Sequence, residues 1–116
     1  MTKQSQEQVD RYIALMERQT SEGPTKHAVH ELVRDGQLSQ LLVYLAEGGQ
    51  LSDHPKPPAA ALQVLRGTIT VAWTGENGVA QQEEIATGDL FVLPNAVHNV
   101  SPLGGAACFL LTRVVA

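Results

Sequence analysis

Cysteine is almost missing from this chain: Cys108 stands alone among 116 residues, so no internal disulfide can form. None is required, because a chain of this length buries a core large enough for one domain. Long apolar runs are missing too. The longest, residues 40–46, has the length of a strand and falls far short of the roughly 18 residues of a membrane-spanning helix. The start of the chain lacks the charged, apolar and small-residue succession of a secretory signal. The expectation is a cytoplasmic protein with no membrane partner. Basic charge is sparse: 8 Lys and Arg stand against 12 Asp and Glu, and they form no cluster that would follow a phosphate backbone. Aromatic residues are few, with two Phe, two Tyr and one Trp, which leaves little to stack on bases. Nucleic acid is therefore not an expected partner.

What the chain does contain falls into one helix followed by short strands. Ser5 and Gln8 have the spacing of a capping box, Val9, Tyr12, Ile13 and Met16 recur at helical intervals, and Gly23 and Pro24 end the pattern. This predicts a helix over residues 5–22, packed on the rest of the domain or on a second subunit. From Ala28 the period shortens. Strands are expected at 28–33, 38–46, 60–65, 68–73, 79–85, 90–93 and 106–115, with turns at Asp35–Gly36 and at Gly75–Gly78. Many short strands and no second helix predict an all-β antiparallel sandwich or barrel, with residues 1–27 as the helix and its connector and 28–116 as the barrel.

Two glycine-bounded patterns carry more information. In the first, Gly48 is followed after five residues by His54, and Gly67 closes the segment behind Leu62, Val64 and Leu65. In the second, Gly88 leads through Asp89, Leu90, Phe91, Val92 and Leu93 to Pro94, and a short turn then reaches His98. In this order, separated by one hairpin, they resemble the two motifs of the small single-domain cupins, over roughly residues 38–115. The resemblance implies a cupin jelly-roll barrel whose glycines mark its corners. In metal-binding cupins the first motif supplies two His and a Glu and the second supplies one His. Here His54 and His98 occupy two of those positions, but Lys56 stands where the second His belongs and Ala60 where the Glu belongs. Two donors fall short of the three or four that hold zinc or iron, and an ammonium group repels a divalent cation. The expectation is a barrel with no tightly bound metal and no cofactor.

Other donors do not repair the set. His27 and His30 lie three apart on one predicted strand and so face opposite sides, while Glu83 and Glu84 follow Gln81 and Gln82 in a polar, solvated run. The expected function is binding of a small molecule, such as a carboxylate or a sugar-like compound, at a barrel mouth lined by His54, Lys56, His98 and Tyr44. The alternative is an enzyme: a metal-dependent dioxygenase or isomerase with altered ligands, or a metal-free epimerase or isomerase with His54 as base and an inward-pointing Tyr44 as acid. A homodimer is expected, as is common for cupins, with the helix and the apolar tail at 108–115 as interface material.

Overall fold

Ser5 starts the first regular element. In the computed structural model, which describes residues 3–54 and 59–115, the Gln8 backbone N–H donates to the Ser5 hydroxyl at 3.2 Å, and the Ser5 N–H donates to the Gln8 side chain at 2.9 Å. This reciprocal box satisfies two otherwise unpaired donors and opens helix α1 (Gln6–Glu22). Ile13 and Met16 are buried, with Val9 and Tyr12 partly so, all against one face of a sheet. The apolar stripe thus packs on the chain's own barrel. An ion pair between Asp10 and Arg66, at 2.8 Å and half exposed, adds a weak tether.

Nine strands follow: β1 (His27–Asp35), β2 (Leu38–Leu45), β3 (Leu51–His54), β4 (Ala59–Arg66), β5 (Thr68–Thr74), β6 (Ala80–Ala86), β7 (Leu90–Val92), β8 (His98–Pro102) and β9 (Ala107–Val114). One sheet has the order β1-β2-β9-β4-β7 and the other β3-β8-β5-β6, with every pairing antiparallel. The predicted strands are all present. β3 and β8 are additional, and they are the two strands that carry His54 and His98. The first hairpin turns through Gly36 and Gln37, one residue later than expected, with Gly36 at φ 58°.

Alternation sorts the apolar residues into two layers. Val43 and Leu45 on β2, Ala60, Leu62 and Val64 on β4, Ile69 and Val71 on β5, and Phe109 and Leu111 on β9 face between the sheets and form the barrel core. The intervening positions on the first sheet, among them Leu42, Tyr44 and Cys108, face outward and are covered by α1. β9, expected as interface material, is the central strand of the five-stranded sheet, paired with both β2 and β4. Ala107, Cys108, Phe109 and Leu111 are buried inside the domain, whereas Val114 is exposed. Gly67 makes the tight corner between β4 and β5 at φ 71°, and a side chain there would meet the Ala106 carbonyl at 2.5 Å. Among the described residues no helix is long and apolar enough to cross a membrane.

Burial beneath α1 pushes the Cys108 thiol up to about 12, against a smaller opposing effect of Arg66. The folded protein therefore holds this proton over a range where the unfolded chain has lost it. Stability should fall as pH rises from about 9 to about 12, by at most roughly 1.4 kcal/mol per pH unit from this group. The raised Tyr44 phenol acts in the same direction at the alkaline end. Urea titrations across this range check the slope, and a thiol-specific reagent at pH 8 should label Cys108 only after unfolding.

Candidate ligand site at the barrel mouth

The site is assembled at the end of the barrel where β3 leads into β4 and β7 into β8. Pairing along β8 puts Val100 opposite Val71 and His98 opposite Trp73. Val100 belongs to the core, so His98, two residues earlier, points to the same interior side, and it is only 3% exposed. Its Nδ1 lies 3.3 Å from the Ala96 carbonyl. A carbonyl only accepts, so Nδ1 is the donor in this contact. Trp73 packs on the edge of the core, tilted against Phe91 with ring centroids 6.0 Å apart.

The backbone register places His54 directly opposite His98 on the neighbouring strand. The two motifs are therefore brought together by β3–β8 pairing. Lys56, the third expected site residue, lies outside the described residues. Tyr44 is elsewhere. It is 8% exposed and packs with Ile13, Met16, Leu42 and Cys108 under α1, on the outer face of the sheet, while its neighbours Val43 and Leu45 face the core. Burial first, then Glu17 and Cys108, raise its phenol above the ordinary value, which makes it a weaker acid as well as a distant one. The sequence left its direction open, and the β2 register sets it.

Ala60 sits on the inward face of β4 and is 7% exposed. Its carbonyl accepts the Leu93 N–H at 3.1 Å, which holds it at the same end as the turn leading to His98. Where metal-binding cupins present a carboxylate, this interior presents a methyl group, and the residue opposite it on β9 is Arg113. Among the described residues no group of three or more His, Cys, Asp or Glu is placed to hold a metal ion. Arg113 thus stands on the strand next to the position where metal-binding cupins have a carboxylate.

Arg113 and Trp73 were not among the residues read from the sequence. The signal for Arg113 was present as a charged residue in phase with Ala107, Phe109 and Leu111, but it needed the strand's register to be recognised as inward. His27 and His30 fall on opposite faces, as expected, being paired with core-facing Leu45 and helix-facing Leu42. His30 stacks on Tyr12 at 4.0 Å. Glu83 and Glu84 lie on β6, exposed to solvent.

No family model and no curated protein sequence matches the chain. Solved structures do. A cupin superfamily protein from Desulfitobacterium hafniense superposes with a TM-score of 0.64 at 13% identity, covering 78% of each chain. The fold is that of the cupins. Recombinant oxalate oxidase in complex with glycolate matches with a TM-score of 0.63 at 22% identity, over 79% of this chain and 52% of its own. The oxalate decarboxylase formate complex from Lactobacillus farciminis matches with a TM-score of 0.66 at 19% identity, over 78% of this chain and 30% of its own. This cupin-fold chain thus spans about half of the oxalate oxidase and less than a third of the decarboxylase, and the likeness extends to the fold alone.

Proposed function

We propose that this cupin domain binds a small molecule at the barrel mouth without a tightly bound metal. The observation that carries the reading is the inward-facing pair Ala60 and Arg113, a methyl group and a cation where a metal site needs a carboxylate. His98, buried and inward, supplies a polar group beside the apolar core, the usual composition of a ligand pocket. His54, opposite it in register, and Lys56 are assigned to the same mouth by the motif. Two fold neighbours hold small carboxylates, glycolate in the oxidase and formate in the decarboxylase, and a carboxylate is a ligand class that suits the cationic wall here.

The enzymatic alternative with His54 as base and Tyr44 as acid loses its acid, because Tyr44 is sealed under α1 on the far side of the sheet from His98.

Elemental analysis tests the reading directly. Untagged protein is offered iron, manganese, nickel and zinc and then desalted. Retention below about a tenth of an equivalent of every metal is expected for a mouth with two imidazoles and two nearby cations. Near-stoichiometric retention, lost in His98→Ala, would overturn the metal-free reading and move the protein to the metal-dependent class.

A further inference from the structure

Among the described residues the five-stranded sheet ends on β1, a nine-residue strand that pairs on one side only, with β2. One hydrogen bond shows which of its backbone groups face the open side. The Ala46 N–H donates to the Lys26 carbonyl at 2.8 Å, and the register continues from there with His27 opposite Leu45. Antiparallel pairs alternate between bonded and non-bonded, so Lys26, Ala28 and His30 bond to β2, while His27, Val29 and Glu31 turn their N–H and C=O groups to the open edge. The His27 carbonyl is met there by the Thr25 hydroxyl at 3.3 Å.

Regular pairing runs from His27 to Glu31, and the register then shifts at Leu32, the mark of a β-bulge. A bulge blunts an edge against further pairing, so the usable template is the stretch before it. Its exposed side chains are His27, Val29 and Glu31. Val29 is 51% exposed although it lies opposite Val43, a core residue.

This stretch is complementary to itself. A two-fold axis through Val29 lays the strand antiparallel on a second copy, with Val29 opposite Val29 and each His27 opposite Glu31 of the second copy. All the edge-facing residues then meet as bonded pairs, and each imidazole stands across from a carboxylate. Within its own chain Glu31 is contacted by Ser39 at 2.8 Å and by Arg34 at 3.9 Å, both through Oε2, so Oε1 is left to face the imidazole. Moving the axis to His30 would set Val29 against a carboxylate and imidazole against imidazole. The other edges offer no equivalent. On β6 the exposed Gln81, Gln82, Glu83 and Glu84 would bring together only acids, with no base between them, and β3 and β7 are four and three residues long.

We propose that two copies of this chain pair through β1, antiparallel about Val29, and so join their five-stranded sheets into one. The contact uses neither the apolar stripe of α1 nor β9, and it is independent of what the mouth binds.

Analytical ultracentrifugation of the full chain and disulfide trapping test it together. Wild type should sediment at twice the mass of one chain at roughly 100 μM, and Val29→Lys, which sets like charges face to face at the axis, should raise the dissociation constant at least about tenfold. Val29→Pro removes an N–H that the single chain leaves at its edge, so it should weaken the dimer at least about tenfold and barely move the melting temperature of the dilute, monomeric protein. Should that variant fail to fold, Val29→Lys and the cysteine variants decide the matter. Val29→Cys should oxidise to a covalent dimer, since bonded cross-strand Cα atoms lie about 5.5 Å apart. His27→Cys should not link to itself but should link to Glu31→Cys when the two are mixed, and the buried Cys108 takes no part. A dimer indifferent to Val29→Lys would mean that the copies meet elsewhere and would overturn the proposal. Self-linking of His27→Cys in place of Val29→Cys would overturn the register, and a monomeric wild type would overturn the pairing altogether.

Discussion

Phe109→Ala should lower the free energy of unfolding by about 3–5 kcal/mol, a large share of the roughly 5–15 kcal/mol that a domain of this kind possesses. Phe109 is 2% exposed at the middle of β9, directly opposite Val43 on β2 and Val64 on β4, and all three side chains face the barrel core. Truncation therefore removes the aromatic ring and leaves a cavity bounded on both sides by paired strands, whose backbones cannot close over it without breaking ladder hydrogen bonds. The melting temperature should drop by on the order of 10–20 °C. Val92→Ala, at an edge position that is 74% exposed, should change stability by less than about 0.5 kcal/mol. Chemical denaturation of both variants checks the contrast. A loss below about 1 kcal/mol for Phe109→Ala would mean that the interior is not packed around this strand.

That expectation depends on β9 being central, and the sequence did not make it so. The strand itself was legible, because eight residues rich in apolar side chains and free of proline favour extended backbone. Its place between β2 and β4 was not, since strand order depends on long-range pairing that no local pattern encodes. The capping box on α1 was legible for the opposite reason: Ser5 and Gln8 meet each other within one turn. The corner at Gly67 was also legible, as the closing glycine of a motif, although the close carbonyl that requires it comes from residue 106.

The two strands that went unread are instructive. β3 offers Leu-Ser-Asp-His and β8 offers His-Asn-Val-Ser-Pro, each with too few apolar residues to show alternation. They form strands because the sheet supplies partners: Leu51 opposite Val100, and β8 held further by β5. These strands carry His54 and His98. Spacing within glycine-bounded motifs located both histidines, where periodicity was silent. Tyr44 shows the converse. Its strand was evident, but in Leu-Leu-Val-Tyr-Leu both faces are apolar, so alternation carried no sign and only the α1 contact reveals which face is outward.

The substitutions at the mouth share one electrostatic direction, and this gives the largest functional change to be expected. In the metal-binding pattern the mouth presents three imidazoles and a carboxylate to a cation. In this sequence Lys56 stands at one His position of the motif and Ala60 at its Glu position, and Arg113, opposite Ala60 in register, brings a further positive charge. Reversing one of these should not restore metal binding. Ala60→Glu alone places its carboxylate across from Arg113, where the two pair with each other, so that variant should retain no metal. The triple variant Lys56→His, Ala60→Glu, Arg113→Gln supplies four donors and removes both cations. It should go from background to near one equivalent of zinc or manganese after desalting, an increase in affinity of at least roughly three orders of magnitude. Its melting temperature should rise with added metal, since a ligand bound only by the folded state stabilises that state. A folded triple variant that stays metal-free would mean that His54 and His98 are not arranged as the cupin motif requires. A wild-type domain that already holds metal would mean that the cations at the mouth do not exclude it.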